Sequence, residues 1–344
     1  MGCALDAGID AFFAGARPEG LGVAVSGGSD STALLVLLQA YCHRNAVALR
    51  CVTVDHGLRP EAVHEAAGVA RLCKELNVPH QTLVWAGWDG TGNVQAEARK
   101  ARYRLMADWA RDHGLSGIAL GHTRDDQAET VLMRLARGAG VDGLSAMAQR
   151  REQHGVTWWR PLLDTDRAAL RAFLVEKGIA WIEDPGNEDT SFERIKARQS
   201  WDALAPLGIT PAALAQVAEN MQSARAALAL QTGAAAQTCV RTVAGAVRIV
   251  PDAYQSLPDE IARRLMLSAL AWLNSAVYAP RRRSLDAARR AVFAEGAATV
   301  DGCHMKIAGG SLWVFREYNA VKDHSTPPGT NWDSRWQLEG PATK

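Results

Sequence analysis

The chain has 344 residues, 48% of them apolar and 22% charged, which gives room for two domains with substantial cores and excludes a disordered chain. Lys and Arg total 38 against 37 Asp and Glu, so no global basic excess marks a nucleic-acid binder and any such surface must be local. No apolar run is long enough to span a bilayer, and Met1-Gly2-Cys3-Ala4-Leu5-Asp6 lacks the basic-then-apolar order of a signal peptide, so the sequence reads as cytoplasmic, with no membrane partner.

From residue 21 to about 120, short apolar β-rich runs alternate with longer helical patterns. This is the signature of an α/β fold: a parallel sheet with helices on both faces. Strands are expected over residues 21–25, 48–54, 81–85 and 117–120. Helices are expected over about 31–44, 61–76 (closed by Asn77-Val78-Pro79) and 93–113 (ended by Gly114), with another starting at Asp126. Strand-like segments follow at 156–159 and 160–163, then a helix over about 166–177 and a polar loop over 183–191. From Trp201 the composition turns Ala-rich and helical, through 211–230 and 258–273. Residues 1–204 therefore read as one domain and 205–321 as a smaller, mostly helical one, with the boundary near Ala205-Pro206. Short strands at 247–250, 305–307 and 311–315 accompany the helical part, and 322–344 reads as a polar, Pro/Gly-punctuated tail.

The most informative string is Ser26-Gly27-Gly28-Ser29-Asp30-Ser31, placed between a predicted strand and a predicted helix. Adjacent glycines let the backbone approach an anion, serine hydroxyls donate hydrogen bonds, and a helix start supplies unpaired N–H groups with a favourable dipole. No Gly-Lys-Ser/Thr follows, so this is not a Walker loop, and it lacks the Gly-x-Gly-x-x-Gly of a dinucleotide fold. Two more segments reach the same carboxyl rim of the sheet: Asp55-His56-Gly57, and Gly121-His122 leading into Thr123-Arg124-Asp125-Asp126-Gln127-Ala128-Glu129-Thr130. Asp126 and Glu129 are three apart and share a helical face on which they can grip an amine or a metal, whereas Asp125 reads as a cap. Arg99 and Arg102 share a face as well, with a guanidinium able to neutralise phosphate. His56 is either a site residue or a satisfied structural histidine. The six cysteines, Cys3, Cys42, Cys51, Cys73, Cys239 and Cys303, form no Cys-x-x-Cys pair, so no zinc or iron–sulfur site is indicated, and Cys42, Cys51 and Cys73 read as core.

The serine-glycine loop resembles the PP-loop of ATP pyrophosphatases, which split ATP between its α and β phosphates. The loop, Val54-Asp55-His56-Gly57-Leu58-Arg59, residues 121–130, Arg137-Gly138-Ala139-Gly140, Arg160-Pro161-Leu162-Leu163 and Trp181-Ile182-Glu183-Asp184-Pro185 occur in the order found in the tRNA(Ile)-lysidine synthetase family. That resemblance spans roughly residues 20 to 200. It implies ligation of free L-lysine to C2 of the wobble cytidine of tRNA(Ile), with ATP converted to AMP and pyrophosphate. It further implies that Ser26, Gly27, Gly28, Ser29, Asp30 and Ser31 hold the pyrophosphate end of ATP, with Asp30 on Mg2+ and Val54, Asp55 and His56 near the nucleotide. Asp126 and Glu129 would recognise lysine, Arg102 would face phosphate, and His122 or a carboxylate would take the amine proton. Where the family carries Arg-Asn-Arg-Ile-Arg after a Phe, this chain has Phe192-Glu193-Arg194-Ile195-Lys196-Ala197-Arg198, so Arg194, Lys196 and Arg198 stand as general RNA phosphate contacts. Arg281, Arg282 and Arg283 either bind the tRNA backbone or form a solvated helix end. Trp158, Trp159 and Trp181 are open as base-stacking surfaces or as core. The rival readings are another PP-loop tRNA-modifying enzyme, of which a thiolase is disfavoured by the cysteines, and a non-catalytic nucleotide- or RNA-binding protein. The sequence does not decide between monomer and homodimer.

Overall fold

The computed structural model of the chain describes residues 2–15, 17–55, 57, 61–85, 94–183, 193–274 and 279–322. The chain divides into two compact units, Met1–Ser223 and Ala224–Lys344. The boundary expected at Ala205-Pro206 falls on a 3-10 turn, Ala205–Leu207, inside the first unit. The tail beyond Lys322 lies outside the described residues.

The first unit runs α1 (Gly2–Phe13), β1 (Gly20–Ala24), α2 (Ser29–Asn45), β2 (Ala48–Asp55), α3 (Glu61–Glu75), β3 (His80–Val84), α4 (Val94–Asp112), β4 (Gly117–Leu120), α5 (Arg124–Ala136), α6 (Val141–Leu144), β5 (Arg150–Gln153), β6 (Val156–Trp159), α7 (Arg167–Lys177), α8 (Glu193–Gln199) and α9 (Trp201–Leu204). The long α10 (Pro211–Cys239) carries the unit boundary within it. The sheet order is β3-β2-β1-β4-β6-β5, parallel throughout except for β5, which pairs antiparallel with β6.

Strand side chains alternate between two cores, as the pleat demands. Leu21 and Val23 of β1, Cys51 of β2, Ala119 of β4 and Trp159 of β6 join a cluster with Ile9, Phe13, Leu34, Leu38, Leu170 and Phe173 from α1, α2 and α7. Ala24, Val52, Ile118, Leu120 and Trp158 face the other way, onto Met106, Trp109 and Ala110 of α4. Right-handed crossovers explain this division. The chain moves outward from β1 to β2 to β3 with α2 and α3 between, then returns past β1 to β4 through α4, which must lie on the opposite face. The order thus reverses between β1 and β4, the crevice where ligands of open α/β sheets bind.

Residues 160–163 are not a strand. Pro161 offers no N–H, Arg160 N–H donates to Gln149 O, and Thr165 N–H donates to Leu162 O, which closes a turn. Trp158 is fully buried and Trp159 nearly so, which assigns both to the core and removes them as stacking surfaces. Trp181 packs partly buried against the first cluster and donates its indole N–H to Glu183. Cys42, Cys51, Cys73, Cys239 and Cys303 are buried free thiols.

The second unit is mostly helical, as expected, and its helices pack on a small five-stranded antiparallel sheet. Its elements are β7 (Val240–Val243), β8 (Ala246–Ile249), α11 (Pro251–Gln255), α12 (Asp259–Asn274), α13 (Arg282–Glu295), β9 (Ala297–Val300), β10 (Cys303–Ala308), β11 (Ser311–Arg316) and α14 (Tyr318–Val321), with sheet order β7-β8-β11-β10-β9. Leu265, Met266 and Leu270 of α12 and Leu285, Ala288 and Val292 of α13 pack on Val247, Ile249, Met305, Leu312 and Val314. No helix among the described residues is long and apolar enough to cross a membrane.

Candidate active site

The loop leaving β1 is held open by its own residues. Ser31 Oγ donates to Gly28 O at 3.1 Å and accepts from Ser26 N at 3.2 Å, while Thr32 Oγ1 donates to Gly27 O at 3.2 Å. Gly27 sits at φ +91°, and a Cβ there would lie 2.5 Å from Ile182, whose N–H donates to Gly27 O. Only glycine fits. Gly121 is constrained similarly, since a Cβ there would meet the Ser31 backbone at 2.9 Å, so the end of β4 and the first turn of α2 approach backbone to backbone. Helix α2 begins at Ser29, two residues before the expected start, and its N-cap Gly28 provides no side-chain acceptor. Its first N–H groups therefore remain available to an anion.

At β4, Thr123 caps α5 in a capping box with Asp126. Asp126 Oδ2 accepts from Thr123 N at 2.8 Å and from Thr123 Oγ1 at 3.1 Å. The expected cap, Asp125, instead accepts from the backbone N–H of Arg167 at 2.8 Å and so ties down the start of α7. The far side of α5 is anchored by Ala128 and Val131 against Leu214 and Ala218 of α10. Gln127 exchanges two hydrogen bonds with the Met147 backbone, both 2.8 Å.

One guanidinium joins these parts. Arg167, at the first position of α7, places Nε 2.9 Å from Asp30 Oδ2, Nη2 3.2 Å from Asp126 Oδ1 and Nη1 3.5 Å from Glu129 Oε1. Asp30, Asp126 and Glu129 are therefore within reach of one planar group, and the loop and the α5 carboxylates form one site. Glu129 is fully buried and is also held by Arg198 Nε at 2.6 Å, with Arg194 Nε at 3.9 Å. Two of the three residues expected to contact RNA phosphate thus face an internal carboxylate, while Lys196 is exposed. Burial raises the Glu129 carboxyl above its ordinary range despite Arg198. Burial acts the same way on Asp126, but Arg167 and the Thr123 N–H outweigh it and hold that carboxyl low.

The groups around His122 are mostly cationic. Burial, reinforced by Arg160, Arg194 and Arg102 against the opposing pull of Asp126, lowers the His122 imidazole to about 3, so it is neutral. Its Nδ1 is buried with no hydrogen-bond partner among the described residues. Arg102 is half-buried, which lowers its pKa, and it makes no hydrogen bond or ion pair among the described residues. Buried polar groups are normally satisfied, so an orphaned imidazole nitrogen beside an unpaired guanidinium marks a place for a ligand. Asp55 is buried, and its Oδ1 accepts from Gly57 N at 2.8 Å, which accounts for it as a turn-former. Val54 packs half-buried under the rim, and His56 lies outside the described residues. Arg281, Arg282 and Arg283 open α13 in the second unit, all exposed, with Arg282 3.6 Å from Asp286.

A PP-loop domain model matches residues 4–202. The chain is 50% identical over 336 residues to a tRNA(Ile)-lysidine synthase of Ruegeria pomeroyi, a match covering 98% of this chain and 80% of that protein. The chain belongs to the tRNA(Ile)-lysidine synthase family. Other family members that match are from Rhodopseudomonas palustris, 46% identical with 72% of this chain and 73% of that protein covered, and Methylobacterium sp., 40% identical with 88% and 91% covered. Among solved structures, the U34-tRNA thiolase NcsA from Methanococcus maripaludis with its 4Fe-4S cluster superposes with a TM-score of 0.54 at 16% identity, covering 64% of this chain and 78% of that one, a likeness of fold alone. The structure brings the loop and the α5 carboxylates that the sequence motifs had marked to one rim of the sheet. Arg167 was not among the residues singled out from the motifs. Its one local signal is its place directly after Asp166, the N-cap of a helix that starts at the rim.

Proposed function

We propose that this protein is a tRNA(Ile)-lysidine synthase that joins the ε-amine of lysine to C2 of the wobble cytidine of tRNA(Ile), using ATP and releasing AMP and pyrophosphate. The observation that carries the reading is the single guanidinium shared by Asp30 of the phosphate loop and by Asp126 and Glu129 of α5, because it puts an anion cradle and an amine-binding pair of carboxylates side by side.

The C2 oxygen of cytosine is a poor leaving group for an amine, so it must first be activated. In the first step that oxygen attacks the α-phosphate of ATP and pyrophosphate departs. The free N–H groups of α2 and the exposed Ser26 hydroxyl face the charge that builds on the departing phosphates, and Arg102 adds a cation. Asp30 fits a metal held chiefly by phosphate oxygens, since Mg2+ takes one or two carboxylates beside substrate phosphates. When bound there, Mg2+ supplies charge neutralisation on the phosphates. In the second step the ε-amine attacks C2, the C2–O bond breaks, and AMP leaves. Asp126, held ionised, orients an ammonium of lysine. Glu129, with its raised pKa, takes the amine proton more readily than His122, whose protonation burial opposes. The target base must leave the anticodon stack to reach this rim. Arg281, Arg282 and Arg283 supply backbone contacts from the second unit.

The test is incubation with α-labelled ATP, lysine and a tRNA(Ile) bearing the wobble cytidine. Labelled AMP that requires both lysine and tRNA supports the reading. AMP formed without lysine incorporation, or nucleotide bound without turnover, refutes it in favour of another PP-loop chemistry or a binding module.

A further inference from the structure

Asp30, Asp126 and Glu129 carry three negative charges in a largely dry space, and Arg167, Arg198 and Arg194 balance them. The carboxylates that the proposed reading gives to a metal and to lysine are therefore already neutralised from within. An incoming ammonium would meet a guanidinium in its place. Like charges this close repel, and they do so more strongly where water is excluded.

We propose that Arg167 is a resident stand-in for the substrates' cations, a positioning residue that passes from the carboxylates to the phosphates of ATP when nucleotide binds, and so makes lysine binding depend on nucleotide. This deepens the lysidine synthase reading and rests on it.

Three features support the exchange. First, the backbone of Arg167 is fixed: its N–H is held by Asp125, while Arg124 donates its N–H to Thr165 O at 3.0 Å and its guanidinium pairs with Asp166 at 2.9 Å. Only side-chain torsions are left to move the guanidinium. Second, Nε already contacts Asp30, a residue of the phosphate loop itself, so the phosphate position lies within one change of rotamer. Third, the contact to Glu129 is long at 3.5 Å and shared with Arg198, and the side chain is 19% exposed, so leaving costs Arg167 no fully buried bond. A guanidinium pairs bidentately with phosphate oxygens, which makes the polyphosphate a strong competitor for it. Once Arg167 has moved, Asp30 is open to a divalent cation, and Asp126 with Glu129 is open to an ammonium.

The experiment measures L-lysine binding to the full chain by calorimetry, without tRNA, with and without Mg2+ and a non-hydrolysable ATP analogue. The wild type is expected to bind lysine about tenfold more tightly when the analogue is present, within the usual range of coupling between sites. R167Q should bind lysine without nucleotide nearly as tightly as the loaded wild type, with the coupling reduced below about threefold. R167K, which keeps a cation but cannot span three carboxylates, should restore part of the coupling, an outcome a purely structural role would not produce. Coupling in R167Q equal to that of the wild type, or none in the wild type, overturns the proposal. A Mn2+ titration without nucleotide separates this from failure of the lysine reading. If no variant binds lysine while all bind the analogue, the lysine assignment is wrong, and Arg167 is then judged on Mn2+ alone. R167Q must bind Mn2+ several-fold more tightly than the wild type, and equal affinity refutes the stand-in.

Discussion

Asp126 does two jobs with two oxygens, and a pair of substitutions separates them. Oδ2 satisfies the backbone N–H of Thr123, a residue with no solvent exposure, while Oδ1 presents charge to the site. D126A removes both and strands a buried N–H, at a cost of ~1–3 kcal/mol in stability. D126N keeps an amide oxygen for the cap, so its stability should fall by less than ~1 kcal/mol. Both lose a charge-assisted hydrogen bond to an ammonium, worth ~1.5–3 kcal/mol, so both should raise the KM for lysine ~10–100-fold and leave that for ATP within about threefold. Steady-state kinetics with each substrate varied, together with urea unfolding, reads out both effects. A D126A protein as stable as the wild type would refute the capping account, and equal rises in both KM values would remove Asp126 from lysine recognition.

Asp30→Ala should reduce AMP formation below about one-hundredth of wild type while tRNA affinity, measured by filter binding, stays within about twofold, because the loop acts on phosphate and metal; undiminished turnover would take Asp30 out of the site. Replacing Arg281, Arg282 and Arg283 together by Ala should weaken tRNA binding and lower the slope of log K against log salt by about 2–3, and an unchanged slope would make the run a solvated helix end. His122 should make the fold acid-sensitive. Its imidazole is held at about 3 against an ordinary 6.5, so on acidification below 6.5 the unfolded chain takes up a proton that the folded chain refuses, and stability falls with pH. Between pH 6.5 and 5 this one group should cost about 1.5 kcal/mol, seen as a pH-dependent difference between wild type and H122N in urea midpoints; a difference that does not vary with pH would place His122 in ordinary solvent.

What was legible in the sequence followed from local physics. Strands β1 and β4 are buried on both faces and so read as unbroken apolar runs, and Gly27 of the loop was demanded by a backbone with no space for a Cβ. Strand β5, Arg150-Arg151-Glu152-Gln153, was missed because an edge strand paired on one side and bathed on the other carries no apolar pattern. Helix α13 buries Leu285, Ala288 and Val292 at helical spacing, a signal obscured by the arginines between them. The site divided along the same line. Asp126 and Glu129 were visible because they are three apart, whereas Arg167 meets Asp30 across 137 positions and Arg198 meets Glu129 across 69. No local pattern encodes such a pairing, and it becomes visible only when topology brings α2, α5, α7 and α8 to one rim.

That topology also poses a problem the residues solve. Helices α2 and α5 follow adjacent strands and aim their N-termini at the same crevice, so both bring the positive end of a dipole to it. Two such ends would make a site for anions only, which would repel lysine. On α2 the N-cap is a glycine and the N–H groups stay open, so the anion-binding character survives. On α5 the Arg124 N–H is taken by Thr165 O and the Asp126 N–H by the Thr123 cap, and Asp126 and Glu129 follow within the first two turns, reversing the sign of the local field. A phosphate and an ammonium can then lie a few ångströms apart at the ends of neighbouring strands, the geometry a ligase needs if one substrate is to be activated beside the other. The cost is a concentration of carboxylate charge in a dry place, and Arg167, reaching Asp30 on one helix and Asp126 and Glu129 on the other, is the residue positioned to neutralise it until substrates do.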